Sequence, residues 1–152
     1  MKSLCIIIAC VLHCTLAEMS IQKDLKTLSK TELEQYEAET LKKCLKENNV
    51  SETVLDDLNM ARDPQLPNNR EFKCMAGCFC EHMTYIKDNK PQWDNLYDIL
   101  LIKYGNPGLL VDVVKIINAC KKVVPKHDDD ICNLGYEIGK CYLKEAERVG
   151  PW

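Results

Sequence analysis

Hydrophobic positions recur at helical spacing along most of this chain. Leu33, Tyr36, Leu41, Cys44 and Leu45 keep roughly to one face, the repeat of an amphipathic helix. Ser29 and Thr31 each stand three residues before a glutamate, Glu32 and Glu34. That is a capping-box spacing, so a helix is expected to begin here and to run until Asn48-Asn49 ends it. Ser51 is placed to cap a second, short helix through Val54, Leu55 and Leu58, closed by Pro64 and Pro67. A third is predicted from about Asn69 to Lys87. Pro91 suits the first turn of a fourth, which carries Trp93, Leu96, Tyr97, Leu100 and Leu101 and stops at Gly105-Asn106-Pro107-Gly108. On the fifth, about Leu109 to Val124, the polar residues Lys115, Asn118 and Lys122 form one narrow stripe. Such a helix is predicted to run through the middle of the fold. Pro125 stops it, and Asp130 caps a sixth that continues to Arg148 before Gly150-Pro151. Strand-type alternation is absent, and there is no repeat or linker. The fold class expected is all-α, a compact bundle of about six helices.

The first residues change the picture of where this bundle works. Lys2, the apolar run from Leu4 to Leu12 and Thr15-Leu16-Ala17 form a charged start, a greasy middle and a small-residue cleavage site. This is the pattern of a secretory signal peptide over residues 1–17. The run is too short to span a bilayer, and nothing downstream reaches the roughly 20 apolar residues required. Residues 18–152 then form one exported domain, a length sufficient for a single core. With Lys2 removed, 19 basic side chains face 23 acidic ones, a formal charge of −4. A mildly acidic, mixed surface has no basic stripe for nucleic acid or anionic lipid.

Cys5, Cys10 and Cys14 leave with the signal, so seven cysteines stay. Cys80 aside, Cys44, Cys74, Cys78, Cys120, Cys132 and Cys141 have 29, 3, 41, 11 and 8 residues between successive members. In an exported domain an even set reads as a disulfide framework. Zinc would prefer closer pairs; Cys78-Phe79-Cys80-Glu81-His82 is the nearest approach to a cluster and does not supply them. At about 100° per residue, Cys74 and Cys78 lie about 40° apart on a helix and face one way. Cys132 and Cys141 lie about 180° apart, so the sixth helix can be stapled on both sides. The spacing leaves all 15 pairings of six cysteines open.

This six-cysteine pattern, with three residues between the second and third members and eight between the fifth and sixth, resembles that of the insect odorant-binding proteins, the pheromone-binding and general odorant-binding proteins among them. The likeness covers essentially the whole mature chain. It implies an interlocked pairing, Cys44 with Cys78, Cys74 with Cys132 and Cys120 with Cys141, around an apolar cavity. Each closed loop would contribute about 3 to 4 kcal/mol by constraining the unfolded chain. The resemblance also implies a secreted carrier that binds small hydrophobic molecules and delivers them to receptors. Cys80 departs from the six: it reads as a buried inert thiol, an exposed one that forms an intermolecular disulfide, or a source of mispairing.

Catalysis has little to stand on. His82 and His127 are the histidines left after processing, and no Ser/His/Asp motif, Gly-rich phosphate loop or HExxH occurs. No cofactor is implied. Binding is better supplied, because Met75, Phe79, Met83, Ile86, Trp93, Leu96, Leu100, Val113, Ile117, Tyr136 and Ile138 offer more apolar surface than a thin helical shell needs. Periodicity alone cannot separate cavity lining from core packing among them. Trp152 is placed to close the cavity from the tail. His127, beside Asp128, Asp129 and Asp130, offers a pH-sensitive loop, although an acidic run also serves to cap the sixth helix. Asn49-Val50-Ser51 is a glycosylation sequon. The competing reading is a secreted helical interaction protein or disulfide-linked dimer without cargo; monomer and homodimer both stay open.

Overall fold

The computed structural model describes residues 24–55 and 66–149. The expected signal segment, Leu58, Pro64 and the tail with Trp152 lie outside them. Among the described residues a 3₁₀ turn, Leu25–Thr27, precedes α1 (Lys30–Glu47), α2 (opening at residues 53–55), α3 (Arg70–His82), α4 (Trp93–Tyr104), α5 (Pro107–Val123) and α6 (Ile131–Val149). A two-residue strand β1 (Ile86–Lys87) pairs antiparallel with β2 (Lys90–Pro91) between α3 and α4.

Local chemistry sets these boundaries. Ser29, rather than Thr31, caps α1: the Glu32 N–H donates to Ser29 Oγ at 3.4 Å, and the Ser29 N–H donates to Glu32 Oε2 at 2.9 Å. Asn69 Oδ1 accepts from the Phe72 N–H at 2.8 Å to start α3, and Asp130 Oδ1 accepts from the Cys132 N–H at 3.0 Å to start α6. At the end of α1, Asn49 turns to φ 55° and the Val50 N–H reaches back to the Leu45 carbonyl at 3.0 Å. This left-handed cap satisfies carbonyls that the helix leaves orphaned.

The same device ends α3 earlier than expected. Thr84 adopts φ 59° and the Tyr85 N–H donates to the Cys80 carbonyl at 2.8 Å, so the helix stops at His82 rather than near Lys87. Asp88 and Asn89 follow at φ 51° and 58°, both left-handed, as a two-residue hairpin loop requires. Pro91 therefore lies in β2, and α4 begins at Trp93 after Gln92. Strands this short leave no alternation in the sequence. The other elements among the described residues are all helical.

The centre of the fold is the crossing of α3 and α6. A Cβ built on Gly77 would lie 2.6 Å from the Ile131 carbonyl oxygen, and one on Gly135 would lie 2.5 Å from Gly77 Cα. Two glycines thus let the backbones touch. One turn away the Cys74–Cys132 disulfide clips the crossing, with its Cα atoms 4.1 Å apart. Cys44–Cys78 ties α1 to α3, and Cys120–Cys141 ties α5 to α6. Of the five helices described in full, α4 alone carries no cysteine.

α5 is not the central helix that its composition suggested. Val113, Ile116, Ile117 and Cys120 are buried on one side, but Val111 is 57% exposed on the other, and Val123, the last residue of the helix, is 71% exposed. Glycine-mediated approach gives the middle to α3 and α6, and α5 packs outside them with apolar residues left in solvent. Among the described residues the buried side chains form two clusters. The larger joins Leu33, Met83, Ile86, Leu96, Ile99, Val113, Ile117 and Leu134; the smaller, around the Cys44–Cys78 bridge, joins Leu45, Phe72, Met75 and Tyr136. Phe79 packs against both.

Candidate functional site

A cavity of about 290 Å³ opens where the two clusters meet. Helical stripes build its walls. Phe72, Met75, Ala76, Phe79 and Cys80 follow one another along α3 at steps of three, one, three and one, which keeps them on a single face. Leu96, Leu100, Lys103 and Tyr104 do the same on α4; Gly135, Tyr136, Ile138, Gly139, Tyr142 and Leu143 do so on α6. Glu37 and Leu41 from α1, with Leu66 and Tyr85 from the connections, complete the lining.

One end of this cavity is polar. Lys103 Nζ lies 2.5 Å from Glu37 Oε2, a pair that is largely shielded and ties uncrosslinked α4 to α1. Lys103 also stands 5.9 Å above the ring of Tyr104, whose hydroxyl is hydrogen-bonded to that of Tyr142. Tyr85 lines the same end, 7% exposed, with its ring edge-on to Phe79. Burial first, and then the negative charge of Glu37, holds the Tyr85 phenol well above its ordinary range. Burial, reinforced by Tyr104 and Glu37, does the same to Tyr142. Both phenols are therefore neutral hydrogen-bonding groups at physiological pH. Cys80, 5% exposed on the cavity wall, is a free thiol that desolvation pushes up to about 12.

Residues 26–145 match the PBP/GOBP family. The chain belongs to that family. Its fold is also similar to two solved structures: Apis mellifera odorant binding protein 5, with TM-score 0.66, 19% identity and coverage of 82% of this chain and 98% of that one, and the odorant-binding protein dmelOBP28a from Drosophila melanogaster, with TM-score 0.61, 20% identity and coverage of 80% and 98%. No curated protein sequence matches the chain. PBP/GOBP proteins are carriers of small hydrophobic molecules rather than enzymes, and members of the family are secreted. No described helix is long and apolar enough to cross a membrane.

For this PBP/GOBP chain the structure divides the residues singled out by sequence. Met75, Phe79, Leu96, Leu100, Tyr136 and Ile138 line the cavity. Met83, Ile86, Val113 and Ile117 do not: they are buried in the larger cluster, with other side chains closed around them. Trp93 packs against the outside of that cluster. Helical period marks an inward face but not what the face meets. The stripes on α3, α4 and α6 extend to Phe72, Ala76, Tyr104, Tyr142 and Leu143, a signal that full use of the period would have caught. Glu37 and Tyr85 had no such signal, because one is a charged residue on a solvated helix and the other sits beyond an unpredicted helix end.

Other features do not join the site. Cys44 and Cys78 Sγ and a ring nitrogen of His82 lie within 4.8 Å of one another, but both sulfurs are bonded in a disulfide, and metal ligation needs thiolates. His127 stands half exposed in the loop after α5, 3.5 Å from Asp129, and does not line the cavity. Asn49 of the sequon is exposed.

Proposed function

We propose that this protein is a carrier that takes a small hydrophobic molecule reversibly into the cavity between α1, α3, α4 and α6 and delivers it to a receptor. Residues 1–17 direct export, and the carrier works in extracellular fluid. The observation that carries the reading is the apolar cavity itself. Its 290 Å³ is about twice the ~150 Å³ that holds one benzene, which scales to a ligand of roughly a dozen carbon atoms. Burying about ten methylenes gives roughly 8 kcal/mol gross at ~0.8 kcal/mol each, a dissociation constant of about micromolar order before ordering costs. Loading and release are both accessible at that strength.

Displacement of a fluorescent apolar dye tests this. Saturable dye binding at about one per chain, reversed by aliphatic competitors, is the expected result; a linear, unsaturable signal would remove the carrier reading. A second reading, a protein-interaction role without cargo, draws on the exposed valines Val111 and Val114, neighbours on one face of α5, since clustered apolar surface marks contact sites. Native mass spectrometry separates the two by reporting the chain count and any retained small molecule.

A further inference from the structure

The polar end of the cavity is not uniformly satisfied. Glu37 and Lys103 neutralise each other at 2.5 Å, and the Tyr104 and Tyr142 hydroxyls bond to each other. Tyr85 is different. It is 7% exposed and lines the cavity together with Glu37, Tyr104 and Tyr142, near enough to Glu37 for that charge to act on its phenol hydroxyl. Among the described residues that hydroxyl has no hydrogen-bond partner; the Tyr85 contacts are its backbone bonds and the ring edge against Phe79. Its oxygen is not sealed inside the protein, so the O–H opens onto the cavity, where an acceptor held there can complete it.

We propose that the cavity selects apolar molecules carrying one neutral acceptor oxygen, such as a ketone, aldehyde, ester or alcohol, and that Tyr85 is the residue that reads it. This rests on the carrier reading and specifies its cargo. A neutral phenol offers one O–H donor, and the acceptor oxygen of a ligand lying along the apolar stripes of α3 and α4 would complete it. A carboxylate fits less well. Lys103, the cation at this end, is already engaged by Glu37, so a second anion would enter a shielded site with no counter-ion of its own.

The experiment measures dye displacement by undecane, methyl nonyl ketone and undecanoate on the oxidised protein and on Tyr85→Phe, which keeps the ring. Water solubility differs among the three, so the effect of the substitution on each ligand is the informative quantity. Ketone affinity is expected to fall about fivefold, the loss of one neutral hydrogen bond, with undecane unchanged. On the unsubstituted protein, the carbonyl stretch of bound ketone should lie below its frequency in alkane solvent. An equal loss for ketone and undecane would make Tyr85 a packing residue and overturn the proposal, as would an alkane-like carbonyl stretch. If undecanoate loses the most, the cargo is an acid and the proposal falls. Should no competitor displace the dye from either protein, the carrier reading fails with it; displacement by all three without a Tyr85 effect overturns only the cargo class.

Discussion

Gly135 meets Gly77 where α6 crosses α3, so closely that a Cβ on Gly135 would lie 2.5 Å from Gly77 Cα and 2.6 Å from its nitrogen. The neighbouring atoms are backbone, which cannot rotate away as a side chain can. A methyl group at either position therefore forces the two central helices apart. Gly135→Ala and Gly77→Ala are each expected to destabilise the protein by about 1 to 3 kcal/mol, the range for overpacking a tight core. Urea unfolding of the oxidised protein checks this; a midpoint shift equivalent to less than about 0.5 kcal/mol would show that the crossing is not close-packed.

Cys80 should be silent as a nucleophile in the folded protein. Its thiol is buried and is pushed up to about 12 by desolvation alone, so at pH 8 only about one molecule in ten thousand carries the reactive thiolate. Iodoacetamide is expected to leave the native processed protein unlabelled over hours and to add a single group once urea is present, read by mass spectrometry. Prompt labelling without denaturant would mean that Cys80 is reached from solvent. The intermolecular disulfide expected of an exposed thiol has no surface from which to form.

Helix starts were legible in the sequence, because their chemistry is local: Ser29, Asn69 and Asp130 each accept from an N–H within three residues. Helix ends were legible only where the residue type announced them. Asn49 and Thr84 close α1 and α3 with the same left-handed turn, yet asparagine is a familiar residue there and a β-branched threonine is not. Missing Thr84 hid both the hairpin and the position of Tyr85. Tertiary placement was least legible. α5 reads as more apolar than α3, but the centre went to the helix whose glycine lets another backbone approach, and a glycine looks the same in a sequence whether it is packed or open.

The junction between α3 and α6 has an acid-labile component. Arg70 bonds to Asp130, and the Arg70 guanidinium first, with the N–H groups of Asn133 and Cys132, holds the Asp130 carboxyl below its ordinary range. A carboxylate with a lowered folded-state pKa adds stability above its unfolded value near 3.9 and loses it as pH falls through the folded value. Both side chains are well exposed, so the pair is worth no more than about 1 kcal/mol. Arg70→Ala is expected to lower stability by that order at about pH 7 and to match the parent at about pH 2. Asp130→Ala should cost about 0.5 to 2 kcal/mol more through loss of the α6 cap, which Asp130→Asn retains. Chemical denaturation at the two pH values distinguishes these effects, and a deficit of Arg70→Ala that persists in acid would assign Arg70 a packing role instead.

Gly139 lies one turn beyond Gly135 on α6 but has nothing within 4 Å of an added Cβ, and it lines the cavity. The helix therefore gains nothing from this glycine in packing and bears its conformational entropy. Gly139→Ala is expected to stabilise the protein by about 0.5 to 1 kcal/mol, the usual helix-interior difference. Gly139→Leu should place its side chain where the ligand would lie, excluding roughly four carbon groups of cargo. At ~0.8 kcal/mol each that is about 3 kcal/mol of binding, more than a hundredfold in affinity. Thermal denaturation and dye titration on the same samples test both halves, and the expected signature is opposite signs: Gly139→Leu at least as stable as the parent but unable to bind. Undiminished dye binding by Gly139→Leu would place the ligand elsewhere, since no folding defect would be available to explain the result.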